Sequence, residues 1–553
     1  MVIYPESFSV KPDTEATVGF RNLFNTSAKT PINKNLTLSK GNYVFLSKNA
    51  NINKFYITNT IARDEYKKLK AEPNIHKSAV VIDGVSNMEI DFNGSTFIMD
   101  GKMTHIVIKD CYNIKLKNLT IETVMPNVHK LTVLKASTFY ATFKVDDATT
   151  FVEEKGEFYW VGTDYKMKFT DYTRFGWCWY PTAKPDNFNH TNRSKQHPFF
   201  GATSVKQIAE KTFTVRYIYP VDFVAGQIFY AFPCTREEVG IFVENSDKIA
   251  LENIKQTYNN SLAFVAQNSS NITIENVDFS PNKKYEVEFC SVADFLQFSM
   301  CRGKIAVRNS NFDNAGDDVC NVHGFHFEIV NKNHDKITVK FCHPQSYGFE
   351  CIREGDTIAF VNPDTLLEVG RTKVLKAELR DGYFYDLTLT TYDVPVGVGD
   401  VIENVSANPD FEFKGNTVNR IVTRGVLCTT RGKILIENNK FLNTGMSGIL
   451  ISDDANCWYE SGPVRDVTIR GNAFMNCEEN AILIKPEIKK YQGSVHKNIL
   501  IENNLFVLNN THALNVSCTE NVIMRGNTYA GTPKYNKWVV ADRVEGITTD
   551  CPK

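Results

Sequence analysis

The sequence predicts an all-β protein folded as a parallel β-helix, a solenoid in which short strands stack coil upon coil. Three observations predict this fold: a strand-like phrase recurs along the chain, its uninterrupted copies lie 23 to 33 residues apart, and each clear copy ends in Asn or Gly. A phrase this short buries no face by itself, so neighbouring copies must stack. Asn suits the corners of such coils because it tolerates a left-handed backbone and can hydrogen-bond to its copy in the next coil.

The recurring phrase is an apolar residue, any residue, a second apolar residue and a polar pair, with an aromatic residue three positions later. Its period of two is typical of a strand and not of a helix. The clear copies are Ile272–Asn276, Ile305–Asn309, Ile434–Asn438, Val467–Gly471, Ile499–Asn503 and Val522–Gly526, and weaker copies begin at Met88, Ile114 and Ile249. We therefore expect one solenoid from about residue 85 to residue 530. Leucine-rich repeats have a similar period but need Leu ladders and helical segments, which the chain lacks.

The stretches without the phrase divide the chain into five parts. Residues 1–124 hold the first coils and a cap, because Ala16–Ala28 has helical spacing of Val18, Leu23 and Phe24. The other parts are an aromatic, β-rich insertion at 125–240, coils at 241–325, a β-barrel-like insertion at 326–405 and C-terminal coils at 406–553. Insertions of this kind often build a binding face on a solenoid.

Composition and charge exclude several classes of protein. The 553 residues carry 62 Lys and Arg against 63 Asp and Glu, and the resulting net charge of -1 disfavours a nucleic acid as partner. The chain has no run of about 18 apolar residues, so its sequence predicts no membrane span. None of the 13 cysteines is paired as Cys-x-x-Cys, so we interpret Cys320, Cys428 and Cys518 as buried free thiols.

The beginning of the sequence bears on location. Met1–Glu6 has neither the basic region nor the apolar segment of a signal peptide. We expect a secreted or periplasmic protein if a signal has been removed, and otherwise the sequence leaves the location open. It also leaves open whether the chain forms a homodimer.

Three aspartates stand where two coils begin the same strand. Asp294 and Asp318 are 24 residues apart, which is one coil, and Asp317 adds a third carboxylate. Equivalent positions in adjacent coils lie ~4.8 Å apart, the spacing of paired strands. Carboxylates at that distance repel each other unless one is protonated or a cation intervenes. Such crowding raises at least one pKa, as general acid catalysis at neutral pH requires.

Two other interpretations of these aspartates stay open. A Gly-Asp-Asp sequence before a strand can be a turn in which one Asp accepts backbone N–H groups. The same carboxylates could supply the oxygen ligands of a calcium ion, although His323 disfavours calcium at its own position. Asn321 and His323 follow at alternate positions of the strand and favour a catalytic cleft.

Further polar and aromatic side chains are expected along the same face. A trough with an aromatic wall, carboxylates and Arg is how proteins bind sugars. Each Arg has the alternative of capping a corner of the solenoid or lying on its surface. The candidates for substrate binding are Asn321, His323, Arg302, Arg424, Thr430, Asp453, Trp458, Glu460 and Lys485.

A series of short motifs resembles one family of enzymes. The motifs are Ala293–Asp294, Cys301–Gly303, Gly316–Gly324, His343–Gln345, Gly355–Asp356, Thr429–Gly432, Gly445–Ser447 and Trp458–Arg465. In this order, over roughly residues 240–530, the sequence is similar to glycoside hydrolase family 110. The members are α-1,3-galactosidases on a right-handed parallel β-helix that remove terminal α-galactose, including that of the blood group B antigen.

The resemblance implies an inverting exo-hydrolase that needs no metal and no cofactor. Asp317 would be the general acid, and Asp294 and Asp318 would hold and deprotonate the attacking water. The implied partner is an oligosaccharide or glycoconjugate with a terminal, α-1,3-linked galactose.

Three rival functions remain open. Gly-Asp-Asp alone would also suit a polygalacturonase, so another sugar such as a galacturonide is one alternative. A β-helix lyase or epimerase is a second, but it would want Ca²⁺ or a basic residue where this chain has three carboxylates. A third is a β-helix that binds glycans without cleaving them.

Overall fold

In the computed structural model, the described residues are 2–27, 33–60, 74–169, 178–179, 198–231, 236–282, 288–391 and 396–552. They form an all-β solenoid of parallel coils with two β-rich insertions, which confirms the predicted fold class. Before the first insertion the strands of the solenoid are Val2–Ile3, Thr14–Glu15, Lys34–Thr37, Asn42–Leu46, Asn51–Phe55, Asn74–Asp83, Ser86–Asp100, Thr104–Lys109 and Tyr112–Thr123, with 3-10 turns at Pro5–Phe8 and Ser47–Asn49.

The later coils are made in the same way. Between the insertions the strands are Ile241–Glu244, Asp247–Gln256, Phe264–Gln267, Ser270–Glu275, Asp278–Phe279, Leu296–Ser299, Arg302–Arg308, Asn311–Asp313 and the first part of Cys320–Asn333. After the second insertion they are Asp410–Lys414, Thr417–Ile421, Val426–Thr429, Lys433–Glu437, Lys440–Thr444, Ile449–Ile451, Glu460–Ser461, Asp466–Arg470, Ala473–Cys477, Asn480–Ile484, His496–Glu502, Leu505–Arg525, Thr528–Pro533 and Val539–Thr548, with a 3-10 turn at Lys534–Asn536.

The coils keep their register across both insertions. Tyr112–Thr123 pairs in parallel with Asp247–Gln256, on the other side of the first insertion. Arg302–Arg308 pairs in the same way with Asp410–Lys414 across the second. The coils that carry the three aspartates therefore belong to one continuous stack.

The solenoid is longer than residues 85–530, so the expected extent is wrong at both ends. Parallel pairing begins with Val2–Ile3 and Lys34–Thr37 and ends with the strand Val539–Thr548. These terminal strands lack the phrase because one end of the stack is covered by the cap and the last strand is mostly exposed.

Asn and Gly take the left-handed corners, as the repeat predicts. Asn276, Asn309, Asn438 and Asn503 have φ values between 50 and 56°. Gly471 and Gly526, together with Gly415 in a coil without a clear phrase, have φ values of 65 to 69°. Only residues that tolerate positive φ fit here, which explains why the phrase alternates between these two residue types.

Next to these corners, buried Asn side chains form a ladder. Asn439 N–H donates to Asn472 Oδ1 at 2.9 Å, and Asn472 N–H donates to Asn504 Oδ1 at 2.9 Å. Asn472 Nδ2 also donates to the Ile436 carbonyl oxygen at 2.9 Å. Each amide therefore joins three coils, as expected for stacked Asn.

The aromatic residues of the phrase stack inside the solenoid. The ring centroids of Phe441 and Phe474 are 5.0 Å apart, and those of Phe474 and Phe506 are 5.2 Å apart. Cys320, Cys428 and Cys518 are buried free thiols, as predicted. The core is therefore a continuous apolar column along the solenoid.

An α-helix, Thr17–Ser27, covers one end of the column. Phe20, Leu23 and Phe24 are buried against the first coils, whereas Val18 is 46% exposed, contrary to the predicted spacing. Ala28, the expected end of this helix, lies outside the described residues.

The first insertion holds two antiparallel sheets around an aromatic core that includes Phe143, Trp160 and Phe213. One sheet consists of His129–Ser137, Tyr140–Val145, Cys178–Trp179, Ala202–Ala209, Thr212–Tyr217 and Ile228–Ala231, and the other of Phe151–Glu154, Glu157–Gly162 and Tyr165–Lys168.

The second insertion is a closed antiparallel barrel. In ring order its strands are Cys320–Asn333, Lys336–Phe341, Phe384–Leu389, Glu368–Arg380, Thr357–Val361 and Val401–Asn404, and the last pairs back with the first. Cys320–Asn333 belongs to the solenoid in its first part and to the barrel in its second. A single strand thus leads from the aspartates into the barrel.

No helix among the described residues is long and apolar enough to cross a membrane.

Candidate active site

Asp294 and Asp318 occupy equivalent positions on neighbouring coils, as the spacing predicts. Phe295 N–H donates to the Asp318 carbonyl oxygen at 2.9 Å, and Val319 N–H donates to that of Arg424 at 3.1 Å. The stacked order is therefore Asp294, Asp318, Arg424. A cation follows two carboxylates along the stack.

Asp318 is the most firmly held of the three aspartates. Its carboxylate accepts hydrogen bonds from Thr423 Oγ1 at 2.5 Å, from Arg424 N–H at 3.0 Å and from the Arg424 guanidinium at 2.9 Å. Burial raises the pKa of Asp318 above its ordinary value, and the positive charge of Arg424 opposes this rise. Its position is fixed from two sides.

Asp317 faces the first insertion. Its carboxylate accepts a hydrogen bond from the Arg236 guanidinium at 2.5 Å and another from Thr423 Oγ1 at 3.2 Å. Because Thr423 also contacts Asp318, its hydroxyl bridges the two carboxylates. The Asp317 side chain is 26% exposed, so it reaches the open part of the cleft.

Asp294 is buried, and no hydrogen bond from the described residues reaches its carboxyl group. Burial raises its pKa well above the ordinary value, and the negative charges of Asp317 and Asp318 raise it further. Both effects favour the protonated form of Asp294.

These groups lie in a cleft of about 560 Å³ on the outer face of the solenoid. Asn321, Leu427 and Leu450 line the middle of the cleft. They lie between the aspartates, which precede the strands, and the loop residues that follow the ends of the strands. Asn321 is three positions after Asp318, a span of ~10 Å in extended chain. The lining residues are Asn59, Arg236, Asp294, Asp317, Asp318, Asn321, Thr423, Arg424, Leu427, Leu450, Ser452, Asp453, Asp454, Asn456, Cys457, Trp458, Glu460, Glu487, Ile488 and Lys489.

Opposite the aspartates, two side chains of the strand Cys320–Asn333 contact the Glu460 carboxylate. Asn321 Nδ2 donates to this carboxylate at 3.2 Å, and His323 Nε2 lies 3.5 Å from the same oxygen. The His323 ring also bonds to the Gly324 carbonyl oxygen through Nδ1 at 2.8 Å, so Nδ1 carries a proton. His323 itself is buried behind Glu460 and does not line the cleft.

A tight loop presents Trp458 to the cleft. The Asp454 carboxylate accepts hydrogen bonds from Asn456 N–H at 2.7 Å, Cys457 N–H at 3.1 Å and Trp458 N–H at 2.5 Å. The indole is 53% exposed, and its centroid lies 5.0 Å from that of the His343 ring. An exposed aromatic face beside carboxylates is suited to an apolar face of a sugar ring.

Asp453 is buried beside the cleft and joined to the barrel. His326 Nε2 lies 2.7 Å from Asp453 Oδ1. Burial raises the pKa of Asp453, and His326 opposes the rise. In the barrel register His326 lies opposite Glu403, which binds Arg431 with both carboxylate oxygens at 2.8 and 2.9 Å.

Three further candidates do not line the cleft. Arg302 binds Asp356 of the barrel at 2.7 and 2.8 Å and so joins the solenoid to the second insertion. Lys485 is 56% exposed and pairs with Glu487 at 3.3 Å.

Thr430 is the third, and its hydroxyl donates to the Pro409 carbonyl oxygen in the interior. Cys320 pairs with Val426, so that Arg424, and not Gly425, lies in register with Asp318 one coil later.

Several lining residues were not predicted from the sequence. Arg236 lies at the end of the first insertion, 81 residues before Asp317, so no local pattern connects them. Asn59 arrives from an N-terminal segment whose backbone bonds to Gln345. Thr423, directly before Arg424, could have been found from correctly aligned coils, since it takes the place of Asp317 one coil later.

Among the described residues, no group of three or more His, Cys, Asp or Glu side chains has an arrangement that could hold a metal ion.

Comparisons with sequence models and with curated relatives agree with the fold. Residues 397–545 match a sequence model described as a right-handed beta helix region, and residues 336–402 match one described as GLAA-B beta-barrel domain II. Alpha-1,3-galactosidase A of Bacteroides thetaiotaomicron is 34% identical over 86% of this chain and 82% of its own. Alpha-1,3-galactosidase B of the same organism is 29% identical over 100% of this chain and 89% of its own. A solved polygalacturonase from Erwinia carotovora covers 98% of this chain and 94% of its own at 10% identity, with a TM-score of 0.42.

The right-handed solenoid, the acidic cleft and these relatives make the chain a β-helix glycoside hydrolase. The identity and coverage shared with the first of them settle the family. The chain belongs to the α-1,3-galactosidases.

Proposed function

We propose that this protein is an inverting exo-α-galactosidase that removes terminal, α-1,3-linked galactose. Asp317 is the general acid, and Asp294 and Asp318 hold and deprotonate the attacking water. The observation that carries the proposal is the stacking of Asp294 on Asp318 with Asp317 turned toward the open cleft. The sugar and the linkage come from the named relatives.

The stacking suits inversion. Two carboxylates at the ~4.8 Å spacing of paired strands can share one water between them. An inverting enzyme keeps its acid about 6.5–9.5 Å from its base so that this water fits, whereas a retaining enzyme places its nucleophile about 5–5.5 Å from the acid. Asp317 is the most exposed of the three and stands next to Arg236, where a leaving group can reach it.

The cluster also holds the proton that the acid needs. Arg236 and Arg424 neutralise Asp317 and Asp318, and Asp294 has no such partner. Burial and the negative charges of Asp317 and Asp318 raise the pKa of Asp294 well above its ordinary value, so Asp294 is where the cluster can hold this proton. In the proposed reaction the proton passes to Asp317 as the glycosidic oxygen approaches, and Asp294 is left as a base.

The charge of the cleft favours a neutral sugar over a uronate. Its carboxyl groups belong to Asp294, Asp317, Asp318, Asp453, Asp454, Glu460 and Glu487. Its cations are Arg236, Arg424 and Lys489, and each has a carboxylate partner, the last at Asp364. A galacturonide would meet no unpaired cation among the described lining residues, which argues against the galacturonide and lyase alternatives.

The anomer released first tests the proposal. With 4-nitrophenyl α-galactoside, proton NMR in the first minutes should show β-galactose before mutarotation mixes the anomers. Initial α-galactose would mean retention and overturn the roles of Asp294 and Asp318. If the protein released galactose from no α-galactoside, its activity would not be that of an α-galactosidase.

A further inference from the structure

At the end of the cleft away from the aspartates, two loops from different coils form part of the wall. Residues 453–460, the first wall loop, contribute Asn456, Cys457 and Trp458 to the lining. Residues 485–490, the second wall loop, contribute Glu487, Ile488 and Lys489. Both loops meet one turn of the barrel, Asn362–Leu367, here called the clamp turn.

The clamp turn accepts hydrogen bonds from both loops. The Pro363 carbonyl oxygen accepts from Asn456 Nδ2 at 3.0 Å. The Asp364 carbonyl oxygen accepts from Lys489 N–H at 2.8 Å and from Lys490 N–H at 2.9 Å. Two neighbouring carbonyl groups of the barrel thus hold both wall loops.

An apolar cluster supports the same junction. Leu366 is 2% exposed and packs in it with Val361 of the barrel and with Ala455 of the first wall loop. Ile488 of the second wall loop is packed against this cluster. The junction therefore excludes water, and opening it would expose apolar surface.

The clamp turn is itself rigid. The Asn362 side-chain oxygen accepts from Asp364 N–H at 3.1 Å, Thr365 N–H at 3.1 Å and Thr365 Oγ1 at 3.2 Å. Leu366 has a φ of 56°, which is sterically disfavoured for a leucine. Such a conformation persists only where the surrounding contacts impose it, and it occurs often at ligand clamps.

We propose that the clamp turn fixes the end wall and thereby restricts the cleft to a galactose at the very end of a glycan. The terminal sugar has no onward substituent to accommodate, so the wall can close behind it, while the leaving group exits past Asp317 and Arg236. This inference rests on the proposed function. It assigns the choice between terminal and internal sugars to the barrel, outside the catalytic coils.

Two variants loosen the wall without touching the lining. Asn362→Ala removes the acceptor that holds the turn, and Leu366→Ala removes a buried contact of the junction. Asp381→Ala is the matched control, because Asp381 lies in another barrel turn with a positive φ and its one ion pair among the described residues is with Arg380. Thermal unfolding shows whether each variant is folded. If Asn362→Ala does not fold, Leu366→Ala still tests the inference.

The substrates are 4-nitrophenyl α-galactosides, either free or carrying a β-glucosyl residue on O3, O4 or O6 of the galactose. We expect the unmodified protein and Asp381→Ala to cleave all three capped substrates at less than about 1% of the rate for the free one. Each wall variant should raise the relative rate at least about tenfold for at least one capped substrate.

Cleavage of a capped substrate by the unmodified protein within about tenfold of the free one would overturn the inference, because the wall would then not exclude it. Unchanged ratios in both folded wall variants would overturn it as well. Failure of the unmodified protein to cleave the free α-galactoside is a different result, which overturns the proposed function and this inference with it.

Discussion

The Asn ladder of the late coils and the Asp stack of the central coils use the same geometry with opposite results. In the ladder, Asn439, Asn472 and Asn504 repeat one amide, and each donor meets an acceptor in the next coil. In the stack, Asp294 lies on Asp318, and two acceptors meet. An amide repeated one coil later gives each donor an acceptor, whereas a carboxylate repeated one coil later places two acceptors against each other.

This difference shows how a solenoid can gain a reactive site without changing its backbone. The parallel register at Asp294 and Asp318 is as regular as that of the late coils. The conflict is confined to side chains, and Arg424 and Arg236 relieve it for two of the three aspartates. Burial still raises the pKa of Asp318, and it raises that of Asp294 well above its ordinary value, as acid–base chemistry needs.

Removing the acid should have the largest effect. Asp317→Asn is expected to lower kcat for an unactivated galactosyl disaccharide by about 10³–10⁴-fold, because the leaving oxygen is no longer protonated. The loss for 2,4-dinitrophenyl α-galactoside should be far smaller, since this leaving group needs little protonation.

Asp294→Asn is the control for that assignment. Because this variant keeps only Asp318 of the two proposed bases, it should lose activity on both substrates to a similar degree. If Asp294→Asn spared the activated substrate and Asp317→Asn did not, the two residues would exchange roles. Circular dichroism confirms that both variants keep the β-helix.

Breaking the ladder should cost stability and spare chemistry. Asn472→Ala leaves donors of Asn439 and the Ile436 carbonyl oxygen buried without partners, so we expect the free energy of unfolding to fall by about 3 kcal/mol. Asn476→Gly, which removes an exposed amide at a left-handed corner, should cost less than about 1 kcal/mol. Equal losses in urea unfolding would mean that the ladder is not what holds these coils.

Removing the repulsion between the stacked carboxylates should stabilise the fold by an amount that depends on pH. The pKa of Asp294 is raised in the folded state, so its folding penalty is absent below about pH 4, the unfolded pKa, and grows as the pH rises toward the folded pKa. Asp294→Asn lacks this penalty, and we expect it to be more stable than the unmodified protein by about 1–3 kcal/mol at pH 7.5 and by little at pH 4. A stability difference independent of pH would contradict the raised pKa.

The smallest effect is expected at the aromatic wall. Trp458→Ala should raise KM for 4-nitrophenyl α-galactoside about three- to tenfold through the loss of a sugar-binding surface. Tyr535→Ala removes an aromatic side chain that is 80% exposed in the C-terminal region and should leave KM unchanged. An unaffected KM in Trp458→Ala would place the sugar elsewhere in the cleft.

The fold could be predicted from the sequence because each coil repeats the same physical problem. Corners need residues that accept a positive φ, and the interior needs stacked apolar side chains, so the phrase recurs. The Asp stack could be found for the same reason, as Asp294 and Asp318 are one coil apart. Coils without an Asn corner, such as that of Lys34–Thr37, leave no such trace.

Long-range contacts could not be predicted in this way. Arg236 reaches Asp317 from the end of an insertion, and Arg302 faces Asp356 of the barrel, where no period links the partners. An alignment that set Gly425 opposite Asp318 would be wrong by one residue, since Cys320 pairs with Val426, and would misplace Thr430. Side chains that alternate in direction make such slips costly, because each one exchanges the inner face for the outer.

The uninterrupted register across the insertions has a consequence for synthesis on the ribosome. Asn253 bonds to Asn118 over 135 positions of chain, and Ser310 bonds to Asn416 over 106. Elsewhere a coil closes on its predecessor within a few dozen residues. At these two seams the exposed edge of the growing stack must wait until a whole insertion has emerged.

Contacts of such sequence separation form slowly, and unpaired edges are prone to aggregate. The two seams are therefore the pauses in the assembly of the solenoid, and the second falls between Asp318 and Arg424, so that the active site is completed only after the barrel has been made.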